Sequence, residues 1–86
     1  LNWKTYGYVV ASRYRIKVII SLQAHPNTPK QISSETNMAI THASRALKEL
    51  SMVGLLHCIN PENLKGRVYK LTKEGVEIAQ LLHNVQ

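Results

Sequence analysis

Thr41, Ser44, Arg45 and Lys48 stand three, four and seven residues along the chain, so on a helix they share one face. Hydroxyls and cations in a single stripe suit the binding of phosphates and of hydrogen-bonding ring edges. His42 lies toward the edge of that stripe. Two smaller sets have the same chemistry. Thr28, Lys30 and Gln31 sit where a helix starts, and free backbone N–H groups and the helix dipole there favour an anion. Lys65 and Arg67 flank Gly66 in a turn-rich loop.

The same inventory argues against an enzyme. All five acidic residues are glutamate, and no Ser/His/Asp, Cys/His or paired-carboxylate arrangement stands out for proton transfer or nucleophilic attack. His57 and Cys58 are the one pair that invites a metal. Neighbours on a strand point to opposite faces, however, and zinc needs three or four converging ligands, so no metal site is expected. Cys58 is the lone cysteine and has no internal disulfide partner.

The punctuation of the chain places these residues on elements. A first helix is expected over about residues 12–24, ended by His25-Pro26-Asn27 because proline disfavours helix in the residue before it. Thr28 can cap a second helix, with Pro29 in its first turn and Gln31 completing a capping box. Asn37 tolerates a left-handed conformation, so a short turn leads to a new start at Thr41 and a helix over residues 42–53 that ends at Gly54. Ala43, Ala46, Leu47, Leu50 and Val53 share its packing side; of the opposite side only Met52 is apolar. Two short β-favouring runs, residues 55–59 and 67–71, predict an antiparallel hairpin with a basic tip, its wing spanning about 55–71. Thr72 then caps a last helix over about 73–84, with apolar positions Val76, Ile78, Ala79, Leu81, Leu82 and Val85.

Eighty-six residues suffice for one domain, expected to fill 1–86. A hydrophobic content of 44% against 19% charged residues indicates a folded chain that needs no cofactor. Net charge is +6, which attracts polyanions. Most of that excess precedes the second helix, so overall charge does not mark the binding face. Arg13, Arg15 and Lys17 are expected to solvate the first helix or to pair with a partner's acids. Trp3, Tyr6 and Tyr8 are read as packing residues ahead of that helix. No apolar run reaches the roughly 20 residues of a membrane span, and the cysteine usage suits the reducing cytoplasm. A start at Leu1 rather than methionine fits a chain processed or excised from something longer.

Helix, helix-turn-helix, hairpin, helix, carried by Thr28-Pro29-Lys30-Gln31-Ile32, Ser44-Arg45-Ala46-Leu47-Lys48-Glu49-Leu50, Val53-Gly54-Leu55-Leu56, Asn60-Pro61, Lys65-Gly66-Arg67-Val68-Tyr69 and Leu71-Thr72-Lys73-Glu74-Gly75, resembles the MarR/ArsR-like winged-helix transcriptional regulators, especially small archaeal ones. The implied fold is α+β, mainly α: a three-helix core, a two-stranded wing and a C-terminal helix. The implied function is sequence-specific binding of double-stranded DNA, the third helix in the major groove and the wing on backbone or minor groove. Arg45 would then pair with guanine O6/N7, Thr41 and Ser44 would offer hydroxyls, and Lys48 a phosphate contact. Thr28, Lys30, Gln31, Lys65 and Arg67 would hold phosphates, the wing residues alternatively the minor groove, and His42 either bases or backbone. An alternative is a winged helix used for protein–protein assembly without DNA. The wide apolar faces of the first and last helices predict a homodimer through them and the N-terminal segment; in a monomer, further flanking residues or residues 1–10 folding back would cover these faces instead.

Overall fold

The structure, a computed structural model, describes residues 2–84, of Asn84 the backbone alone; Leu1 and Val85 lie outside the described residues. In chain order come α1 (Trp3–Val10), α2 (Arg13–Ala24), α3 (Pro29–Thr36), α4 (Ile40–Met52), β1 (Leu56–Cys58), β2 (Tyr69–Leu71) and α5 (Lys73–Asn84). Helices α2, α3 and α4 form the core, α5 packs across α2, and β1 and β2 form an antiparallel wing. This is the expected winged helix-turn-helix fold, with one helix more than the sequence announced.

That extra element is α1. Asn2 caps it, its Oδ1 accepting from Lys4 N at 2.9 Å and Thr5 N at 3.3 Å. Gly7 and the β-branched Thr5, Val9 and Val10 are poor helix formers, so propensity gives little sign of it. Packing supplies what propensity lacks: Val9 is fully buried and α1 lies against α2. The segment before residue 12 is thus a helix folded back on the domain. It helps to cover α2, whose Val18, Ile19 and Leu22 are buried and whose Tyr14, Ile16 and Ile20 pack half-buried around the core. Much of the apolar surface that seemed to require a partner is satisfied inside this chain.

The helix boundaries follow their caps. Ser12 Oγ accepts from Arg15 N at the start of α2, and Thr28 Oγ1 accepts from Gln31 N at the start of α3. The reciprocal half of the expected capping box is absent, because Thr28 N instead donates to Asn27 Oδ1 at 2.9 Å. Asn37 takes the left-handed conformation, φ 56° and ψ 45°, and ends α3. Ser33 closes the turn: its Oγ donates to Met38 O at 2.6 Å while Met38 N donates to Ser33 O. Helix α4 begins at Ile40, two residues before the His42 expected after a start at Thr41, with no side-chain cap on its first turn. Ala43, Ala46, Leu47 and Leu50 bury against the core, whereas Val53 is exposed just past the helix end rather than on its packing side.

The strands are shorter than expected, paired Leu56↔Leu71, His57↔Lys70 and Cys58↔Tyr69. One further bond, Ile59 N to Val68 O at 2.9 Å, extends the pairing toward the tip. Thr72 caps α5 through Gly75 N and donates to Gly54 O at 2.7 Å, tying the last helix to the end of α4. Gly75 itself is required by a close approach: a Cβ there would overlap the backbone carbonyl of Leu55.

Candidate nucleic-acid interface

The outward face of α4 carries Thr41, Ser44, Arg45, Lys48 and Met52, all exposed. Its one acid, Glu49, is turned away from them. Arg15 Nε holds Glu49 Oε1 at 3.2 Å, with both side chains partly shielded from water. Arg15 also donates through Nη1 to Tyr8 O at 2.7 Å and stacks its guanidinium 3.7 Å from the Tyr8 ring centre. Arg15 therefore neither solvates α2 nor waits for a partner's acid. It joins α1, α2 and α4, and it neutralises a carboxylate that would otherwise oppose an approaching anion.

The acid of α3 is engaged in a similar way. Glu35 Oε1 accepts from Asn27 Nδ2 at 3.1 Å and from Ser21 Oγ at 3.5 Å. Both carboxylates of the helix-turn-helix thus bond inward, toward α2 and the loop after it. The charged groups of the outward face of α4 are therefore Arg45 and Lys48, which composition could not reveal because glutamates and cations balance over residues 31–60.

His42 is placed differently from its neighbours. Its ring stacks on Tyr14 of α2 at 4.3 Å between centroids and 8° between planes, half-buried at the inner edge of the stripe. Arg13 approaches the Tyr14 ring at 5.7 Å.

Tertiary structure joins two sets that are far apart in sequence. Thr28 and Lys30, at the start of α3, and Lys65 and Arg67, on the wing, line one open groove together with Ile40 and Leu64. A shallower hollow beside it takes in Gln31. Arg45 and Lys48 stand outside this groove, on the free face of α4.

Asn27 makes that juxtaposition rigid. Among the described residues it is the one buried polar residue, 4% exposed, and every polar group of it is used. Its N donates to Tyr69 O at 3.1 Å and its O accepts from Tyr69 N at 2.8 Å, so the loop before α3 is joined to β2 by an isolated antiparallel bridge. Its side chain caps Thr28 N and holds Glu35. Sequence reasoning treated Asn27 only as part of a helix-ending turn. An asparagine just before a capping threonine was the available sign.

At the far end of the wing, Asn60 has the same duty. Its Oδ1 accepts from Val68 N at 2.7 Å, and its Nδ2 donates to Gly66 O at 3.2 Å. Cys58 Sγ donates to the same Oδ1 at 3.4 Å, so the thiol serves the loop. Among the described residues no three His, Cys, Asp or Glu side chains converge as metal ligands, and no helix is long and apolar enough to cross a membrane. Arg67 Nε donates to Asn63 O at 2.7 Å, which fixes the guanidinium at the tip; Lys65 is exposed beside it.

The sequence matches no family model and no curated protein. Solved structures do share its shape. NMB1585, a MarR family regulator from Neisseria meningitidis, superposes with a TM-score of 0.80 at 23% identity over 95% of this chain and 59% of its own. The MarR family transcription regulator SP03579 does so with a TM-score of 0.77 at 25% identity, over 86% and 50%. FabT of Streptococcus pneumoniae, solved in complex with DNA, gives 0.74 at 22% identity, over 86% and 53%. The chain spans between 50% and 59% of the length of these proteins. With α2, α3 and α4 as its core and a two-stranded wing beside them, this chain has the winged helix-turn-helix fold of the MarR-family transcription regulators.

Proposed function

We propose that this chain is a sequence-specific double-stranded-DNA-binding transcription regulator, or the DNA-binding part of one. The observation that carries the proposal is the exposed face of α4: hydroxyls and cations with its glutamate tied back by Arg15, beside a wing whose cations share a groove with the start of α3. A helix about 10–12 Å across fits the major groove. The likeness to FabT, solved with DNA, supports the same reading.

In this arrangement α4 lies in the major groove. Arg45 makes a bidentate pair with guanine O6/N7, Thr41 and Ser44 hydrogen-bond to bases or phosphates near the helix start, and Lys48, one turn on, meets a phosphate. One backbone strand passes through the groove between α3 and the wing, where Thr28, Lys30 and Gln31 face it from one side. Lys65 and Arg67 meet it from the other and reach the adjacent minor groove. His42, held against Tyr14, orients the start of α4 and touches DNA only with its outer edge.

The working unit is proposed to be a homodimer through α1, which is the N-terminal segment, α2 and α5. Trp3 is 66% exposed on α1, and Val10 on α1 and Val76 on α5 are exposed as well. A two-fold dimer places its recognition helices roughly 34–36 Å apart and selects a pseudo-palindromic site.

In-vitro selection of duplex DNA by the purified chain, with affinity measured across a salt series, tests the proposal. A selected consensus and a steep fall of affinity with salt are expected. Absence of duplex binding at low salt would instead point to a protein-assembly role.

A further inference from the structure

Leu64 is 92% exposed at the crest of the wing loop. Single exposed leucines are ordinary on a protein surface. This one is held out by its surroundings. Asn63 N donates to Asn60 O at 3.1 Å, Arg67 Nε donates to Asn63 O, and Asn60 bridges to Gly66 O and Val68 N. Asn63 before Leu64 and Gly66 two residues after it are thereby held in place, and Gly66 completes the turn with φ +67°.

Its neighbours decide what it can meet. Between Pro61 and Val68 the loop carries two cations, Lys65 and Arg67, and one acid, Glu62. Lys30 faces them across the shared groove, whose other apolar members include Ile40 and Tyr69. An apolar tip ringed by cations is complementary to a duplex, which is anionic along its backbone and apolar between its stacked base pairs. Proteins that enter the minor groove frequently press leucine or a similar side chain between base steps and partly unstack them.

We infer that Leu64 is such a wedge, entering the minor groove of duplex DNA at the wing contact and favouring a readily unstacked pyrimidine–purine step there. This rests on the DNA-binding function proposed above. Deformable steps lower the cost of the distortion, so Leu64 reads sequence through stacking while Lys65 and Arg67 supply attraction independent of sequence.

The experiment uses duplexes from the selection, with 2-aminopurine placed in turn at each step of the wing footprint. Binding of the wild-type chain is expected to raise the fluorescence at one step severalfold. Leu64→Ala should still bind, with an unchanged melting curve because the side chain touches little, and should give no rise. A preference of about tenfold for TA over AA at that step should shrink to about twofold in the variant. Tight wild-type binding without a fluorescence rise at any step, or a rise that persists in Leu64→Ala, would overturn the wedge and leave the proposed function standing. A change of sedimenting mass in Leu64→Ala would place the leucine in a protein interface and overturn it too. No duplex binding by the wild type would remove both proposals together.

Discussion

Replacing Gly75 by alanine separates helix propensity from packing, because the two predict opposite signs. Gly75 lies in the first turn of α5, and propensity alone says that alanine should stabilise a helix by up to about 1 kcal/mol. The structure says otherwise. The added Cβ would overlap the carbonyl oxygen of Leu55 and stand 3.1 Å from its carbon and 3.2 Å from Leu71 Cδ2. That carbonyl is no flexible neighbour, since it accepts from Thr72 N at 3.0 Å and belongs to the base of the wing. Overpacking a rigid contact costs about 1–3 kcal/mol. A weakened Thr72–Leu55 bond adds about 1 kcal/mol. Net of the propensity gain, Gly75→Ala should lose about 2 kcal/mol. For a domain of this size that is a fall in Tm of about 10 °C. Thermal unfolding followed by circular dichroism, with urea titration for the free energy, measures it. An unchanged or raised Tm would refute the reasoning, because it would mean that α5 can move off Leu55 at no cost.

Arg45→Ala should cost about 1–3 kcal/mol on cognate DNA and relax the selected consensus at one base pair, whereas Lys65→Ala should weaken all duplexes alike and lower the salt slope by about 1. Equal losses on cognate and random DNA for both variants would count against base readout by Arg45. Arg15→Met removes the Glu49 ion pair and the bond to Tyr8 O together, so a stability loss of about 1–3 kcal/mol is expected in urea titration. Weaker duplex binding should accompany it as the Glu49 carboxylate is released; affinity unchanged at low salt would show that this charge has no bearing on the interface. Asn27→Asp keeps the acceptor for Thr28 N but sets a carboxylate against Glu35 Oε1, where an amide now donates at 3.1 Å, and should melt lower at neutral pH than the wild type. Sedimentation at tens of micromolar tests the homodimer; a monomer there would remove it.

Much of the fold was legible because it is written in local signals. Thr28 and Pro29 start a helix wherever they occur before a periodic run, Asn37 supplies the left-handed turn, and Thr72 caps α5 through its own backbone neighbourhood. The stripe of Thr41, Ser44, Arg45 and Lys48 was legible for the same reason: helical periodicity alone puts these residues on one face. The first helical residue of α4 is Ile40, two positions before the expected His42, since Ala39 offers no capping side chain to mark it. Helix α1 was missed because Gly7 and three β-branched residues hide it, and contacts with residues later in the chain hold it in place.

What the chain spells out locally is therefore its order of helices, its turn residues and the composition of each exposed face. Three-dimensional packing settled which charges remain free on those faces and which separate segments meet. Arg15 neutralises Glu49 across 34 residues, and Asn27 fastens the start of α3 to β2 across 42 positions of sequence. Neither partnership has a periodic or adjacent signature, because hydrogen bonds and ion pairs act through space. A charge that looks cancelled along residues 31–60 leaves Arg45 and Lys48 free on the outward face of α4 once Glu49 pairs with Arg15 and Glu35 is held by Asn27.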